Sequence, residues 1–161
     1  MSTAFEPPVP FDAGADVGVD AGAKDTQGAE VGPLNIMLVD DCVLDTYLHR
    51  RALERSTRGR VAACFDDPLS AIDWLRSGER EIDLLLLDVN MPLMTGFEFL
   101  ELVRSDPRVS AANRSVRVVL LTSSMAPADE QMASELGVPL RNKPIDVAQV
   151  DFWLASIAEA D

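Results

Sequence analysis

The sequence is short of the residues that build several common kinds of site. Among 161 residues there are two cysteines and one histidine. Cys42 and Cys64 have no CxxC spacing, so zinc centres made from cysteine and histidine are excluded in practice. Such sparse cysteine fits a reduced, cytoplasmic protein. Bases are scarce too: 14 Lys and Arg stand against 27 Asp and Glu, a formal charge of -13, with no basic run. A chain of that kind does not grip phosphate backbones, which excludes direct nucleic-acid binding. No apolar stretch approaches the ~20 residues that span a bilayer, the longest clean run being Leu84 to Leu87, so no membrane role is expected. The N-terminus lacks the basic start and apolar core of a secretory signal.

What the chain does have is 47% hydrophobic residues, enough for one real core. Residues 1–33 stand apart from it. They carry Glu6, Asp12, Asp16, Asp20, Asp25 and Glu30 against Lys24, five of the nine glycines and four of the ten prolines. With only Phe5 and Phe11 as large apolar anchors, this stretch reads as a disordered acidic tail, leaving 34–161 as the folded domain.

From Leu34 the texture alternates. Asn35 to Asp40 is an apolar run ending in acid, and Cys42 to Ser56 carries Leu44, Tyr47, Leu48 and Ala52 at helical spacing. Arg60 to Phe65 reads as a second strand. Asp67 before Pro68 is a helix start, with Leu69, Ile72 and Leu75 as the buried stripe. Ile82 to Asp88 is apolar without alternation, as in a strand covered on both faces. Thr95 and Glu98 form a capping-box pattern ahead of Phe97, Leu100 and Val103. Val116 to Leu121 is a fourth strand, Pro127 to Leu136 a helix closed by Gly137, and Val138 to Asn142 a weak fifth strand. Asp146 and Gln149 open a last helix with Val150, Trp153, Leu154 and Ile157. Asp106 to Ser115 reads as a polar loop. Five alternations of strand and helix predict an α/β, doubly wound five-stranded parallel sheet with helices on both faces.

In such a sheet ligands bind beyond the carboxyl ends of the strands. Those ends deliver Asp40 and Asp41, then Asp88, then Thr122, then Lys143 with Pro144. Three carboxylates gathered at one edge repel one another unless a hard dication lies among them, and Mg²⁺ prefers a few carboxylates, water and a phosphate. A lysine can pair with a carboxylate or a phosphoryl oxygen, and a carboxylate can itself accept a phosphoryl group as an acyl phosphate. Singly, each residue has an ordinary explanation as a helix-start acid, a turn residue, a cap or a solvated lysine. Jointly, five such residues at four strand ends point to chemistry.

On the strings MLVDDC, LLLLDVNMPLMTGFEFL, VVLLTSS and LRNKPID, the stretch from Leu34 to about Ala158 resembles the receiver domain of two-component response regulators, of the stand-alone, chemotaxis-regulator-like kind. The resemblance implies the flavodoxin-like strand order 2-1-3-4-5. It implies Asp88 as phosphoacceptor, with Asp41 binding Mg²⁺ directly, Asp40 through water and Asn90 through its backbone carbonyl. Thr122 would be the switch hydroxyl, Lys143 the phosphoryl-contacting lysine, and Lys143-Pro144 a cis-favouring step. Its donor would be a sensor histidine kinase or a histidine phosphotransfer protein. A downstream target protein would be met by the fourth helix, fifth strand and fifth helix, Asp129 to Val150 and beyond. With the chain ending soon after the last helix, output by protein contact or service as a phosphate sink is expected. One departure is Leu140, where the family usually has tyrosine or phenylalanine three residues before the lysine. An aliphatic side chain has no ring to reorient.

Two other function classes are open to test. A phosphohydrolase using an aspartyl phosphate needs a second aspartate two residues after the nucleophile, and Asn90 stands there. A constitutive receiver-like interaction module would keep the fold with a vestigial site, which the intact five-residue set argues against. His49 is expected as a surface or half-buried helix residue, Trp74 and Trp153 as packing, Cys64 as a buried strand residue, and Phe152 as the apolar residue exposed on the last helix.

Overall fold

The apolar runs become the strands of one sheet, buried on both faces at its centre and only partly buried at its two edges. In the computed structural model, which describes residues 32–160, these are β1 (Leu34–Val39), β2 (Gly59–Phe65), β3 (Leu84–Asp88), β4 (Arg117–Thr122) and β5 (Leu140–Asn142). All pair in parallel, in the order β2-β1-β3-β4-β5, the doubly wound arrangement expected. The predicted tail lies outside the described residues except for its last two.

Alternation hidden in the runs sorts side chains to two layers. Ile36 and Leu38 of β1, Leu84 and Leu86 of β3, and Val119 and Leu121 of β4 face one side. There α1 (Val43–Glu54) and α6 (Val147–Ala160) cover them through Leu53, Val150, Leu154 and Ile157. Met37 and Val39, Leu85 and Leu87, and Val118 and Leu120 face the other side. That layer is closed by α2 (Pro68–Ser77), α3 (Gly96–Ser105) and α5 (Pro127–Leu136).

The helix starts follow their local chemistry. Asp67 accepts from the amides of Leu69 and Ser70, with Pro68 at the first helical position. Thr95 and Glu98 close a reciprocal capping box on α3. Each such cap is worth about 1 kcal/mol. Asp146 and Gln149 reciprocate in the same way ahead of α6.

Four expectations need correction. The polar loop after α3 holds a single-turn helix, α4 (Ala111–Arg114), started by the Ser110 hydroxyl, so the fourth and fifth helices expected from sequence are α5 and α6. Leu69 is exposed on α2, whose buried side is Pro68, Ala71, Ile72 and Leu75. On α1 the helical spacing is present but the stripe Leu44, Tyr47, Leu48 faces outward, and His49 with Leu53 faces the sheet. Two candidate faces were available, and packing over β1 and β2 chose the one containing the histidine. Cys64 is half-buried rather than buried, while Trp74 packs on Phe65 with ring centroids 6.1 Å apart.

Gly96, the first residue of α3, lies against the end of β3. A Cβ there would run into the backbone carbonyl of Asp88 and the Cα of Val89. Backbone cannot yield as a flexible side chain does. Gly96→Ala is therefore expected to lower unfolding free energy by about 1–3 kcal/mol, read from the denaturant midpoint. An unchanged midpoint would show that the strand-helix corner has room.

Candidate functional site

Strand register assembles the site. Val39 of β1 is paired with Leu87 of β3, so Asp40 and Asp88, one residue further on each, leave adjacent strands side by side. Asp88 is paired with Leu121 and Thr122 with Asn142, which brings the β5 exit to the same edge. The amide of Lys143 then donates to the Thr122 carbonyl at 2.8 Å, and the Lys143-Pro144 bond is cis, as expected.

Carboxylate oxygens of Asp40, Asp41 and Asp88 all lie within 4.8 Å of one another. Asp40 and Asp88 are buried and Asp41 is half-buried, giving the cluster one open side. Lys143 Nζ sits among them, 2.8 Å from Asp40 Oδ2 and 3.0 Å from Asp88 Oδ1. A third partner is Asp45, from the first turn of α1, which accepts from Nζ at 3.0 Å. Asp45 had no role in the sequence reading. Its signal was an acid on the first turn of the helix that follows the acidic pair.

Charge in this cup is unbalanced, with four carboxylates facing one ammonium. Burial pushes the Asp88 carboxyl up to about 6, and the Asp40 charge adds to the rise while Lys143 opposes it. Burial alone would lower Lys143, but its contacts with Asp40, Asp88 and Asp45 outweigh that and raise it. Asp45 goes down: burial works against its charge, and the hydrogen bond from Lys143 more than compensates. An all-oxygen donor set with surplus negative charge and an open side suits a hard dication such as Mg²⁺.

Of the residues anticipated from sequence, Asp40, Asp41, Asp88 and Lys143 meet directly. Thr122 is buried at the same edge, but its hydroxyl donates to the Ser124 carbonyl at 2.8 Å and accepts from the Ser124 amide at 3.1 Å. Asn90 is exposed on the turn two residues after Asp88. Leu140 is buried in the core under α5. His49 is the clear correction: it is fully buried, with Nδ1 4.0 Å from Asp40 Oδ2.

A family model described as the response regulator receiver domain matches residues 36–150. The cyclic di-GMP phosphodiesterase response regulator RpfG of Xanthomonas campestris is 34% identical over 113 residues, 70% of this chain and 28% of RpfG. The nitrate/nitrite response regulator protein NarP of Escherichia coli is 34% identical over 100 residues, 62% of this chain and 43% of NarP. This chain thus spans less than half the length of either relative. The crystal structure of the phosphorylated cyanobacterial phytochrome response regulator RcpA is similar with a TM-score of 0.61 and 28% identity, covering 79% of this chain and 92% of that one. Among the described residues, no helix is long and apolar enough to cross a membrane.

Proposed function

The chain belongs to the response regulator receiver domain family, and from that premise we propose that Asp88 accepts a phosphoryl group in a Mg²⁺-dependent signalling step. The donor is the phosphohistidine of a sensor histidine kinase or a histidine phosphotransfer protein. The nitrogen–phosphorus bond of the donor breaks, a bond forms from an Asp88 carboxylate oxygen to phosphorus, and the imidazole leaves and takes up a proton. The observation that carries this reading is the cluster itself: three carboxylates within 4.8 Å, with Lys143 Nζ 3.0 Å from Asp88.

Asp41 and Asp88 would hold the metal directly, with the Asn90 carbonyl and, through water, Asp40. When bound, Mg²⁺ neutralises charge developing on the phosphoryl oxygens. The chain's own residues do the rest. The Asp88 carboxylate attacks, and its burial keeps competing water away. Lys143 is already placed to follow charge from Asp88 to a phosphoryl oxygen, tethered meanwhile by Asp45. Thr122 has to release Ser124 before its hydroxyl can reach the new group, so the loop after β4 changes with the phosphorylation state.

The signal leaves through protein contact on the face of α5, β5 and α6, where Met132 and Phe152 are exposed. With Leu140 buried in place of an aromatic ring, the Thr122 loop carries the change rather than a swinging side chain. The cell compartment for such an exchange is the cytoplasm.

Incubation with Mg²⁺ and a small acyl-phosphate donor, or with a panel of phosphorylated kinases, is expected to add one phosphoryl group by intact mass. Failure with every donor would overturn the reading in favour of a constitutive interaction module. The pH dependence has a definite sign. Because the Asp88 carboxyl titrates near 6, protons compete with both metal and phosphorus below that pH. The labelling rate is expected to be flat above about pH 7 and to fall by about tenfold per unit below 6.

A further inference from the structure

His49 is a histidine where a strand-facing helix position calls for an aliphatic residue. It lies four residues after Asp45 on α1, so both side chains look toward Asp40 and Lys143. The ring is fully buried, and neither Nδ1 nor Nε2 has a hydrogen-bond partner among the described residues. A buried polar group left that way costs about 1–3 kcal/mol, which a leucine at the same place would avoid. Burial holds the imidazole below its ordinary pKa against the pull of Asp40, and in either charge state an imidazole has an N–H to donate.

Across from it is the other unusual atom of the site. Asp40 Oδ1 accepts from the Cys42 amide at 2.9 Å. Asp40 Oδ2 takes no aligned hydrogen bond and has Lys143 as its ion-pair partner at 2.8 Å. His49 Nδ1 lies 4.0 Å from the same oxygen, about 1 Å beyond hydrogen-bond length. The three N–H groups of Lys143 now serve Asp40, Asp45 and Asp88. A phosphoryl oxygen carried on Asp88 lies farther out than the carboxylate oxygen it replaces, so an ammonium that follows it is drawn away from Asp40 Oδ2. When the ammonium follows the charge to a modified Asp88, a fully buried carboxylate oxygen would be left without a donor.

We propose that His49 is a positioning residue, whose Nδ1–H takes over Asp40 Oδ2 when Lys143 moves to the phosphoryl group and so keeps Asp40 oriented for the metal. This rests on the reading of the site given above. It accounts for an orphaned histidine facing the sheet and for the underbonded oxygen opposite. Partners that orient a metal-binding carboxylate are worth about tenfold or more in metal affinity.

The test measures Mg²⁺ affinity by calorimetry, alone and with beryllium fluoride as the acyl-phosphate mimic, alongside metal-free melting. His49→Leu is expected to bind Mg²⁺ with the mimic about tenfold more weakly than wild type, while melting at the same or a higher temperature. His49→Asn, whose amide nitrogen can fall where Nδ1 lies, is expected to stay close to wild-type affinity. If the leucine variant does not fold, His49→Met takes its place. An apolar variant that folds and binds as wild type overturns the inference. So does an asparagine variant as weak as leucine, which would assign the effect to packing. A wild-type protein that binds neither Mg²⁺ nor the mimic overturns the reading of the site and this inference with it.

Discussion

Asp88→Asn loses all phosphoryl uptake while becoming more stable. In phosphotransfer from kinase to purified protein, wild type is expected to gain an acid-stable, base-labile label that disappears when Mg²⁺ is chelated. The asparagine variant, which has no carboxylate oxygen to attack phosphorus, gains none. Labelling of the variant to the wild-type level would remove Asp88 from the mechanism. The stability half of the prediction comes from linkage. The Asp88 carboxyl titrates near 6 in the folded protein, above the ~3.9 of an unfolded chain. A carboxyl raised on folding favours the folded state most below about pH 4, and that advantage is lost as pH rises toward 6. At pH 7 without metal, the ionised side chain therefore works against folding, by on the order of 1–3 kcal/mol after allowing for its coupling to Asp40 and Lys143. Asparagine keeps the shape and drops the charge. Its metal-free unfolding midpoint is expected to rise, and the downward slope between pH 4 and 6 to flatten. A variant that loses both label and stability would mark Asp88 as structural instead.

Lys143→Ala produces the opposite stability change. The ammonium is the common partner of Asp40, Asp45 and Asp88, the first and last of which are buried. Its removal leaves buried negative charge uncompensated, which costs about 3–5 kcal/mol against a total domain stability of about 5–15. The variant is thus expected to fold with a much lower melting temperature at pH 7 and to transfer little phosphate. Without the ammonium the Asp88 carboxyl, already raised above its unfolded value, loses the contact that opposes the rise, so lost stability returns as pH is lowered toward 5. Mg²⁺, which can stand among the same oxygens, is expected to restore it at pH 7. Melting curves at pH 5 and 7, each with and without Mg²⁺, separate these effects. A variant as stable as wild type at pH 7 without metal would show that Lys143 neutralises nothing.

These predictions depend on features that were readable in different degrees from the chain. The ends of β1, β3 and β4 were legible because an apolar run stops at an ionisable or hydroxyl residue, as Leu84 to Leu87 stops at Asp88. The start of α3 was legible because Thr95 and Glu98 satisfy each other's backbone amides over three residues. The rotation of α1 was not. Leu44, Tyr47 and Leu48 form as good a stripe as the one that packs, and only the sheet beneath selects between them. The single turn of α4 escaped because four residues show no periodicity.

The amino-acid order by itself determined the alternation of strands and helices, and with it which side chains reach the carboxyl edge of the sheet. Such signals are local, set by a few residues of pattern, capping and turn chemistry. Only the tertiary structure decided how those side chains face one another. Asp45 meets Lys143 across 98 positions of chain, and His49 turns a buried ring toward Asp40. The first contact joins the start of α1 to the exit of β5, and the second depends on the rotation of α1. Both follow from strand register and helix packing, which no short stretch of residues encodes.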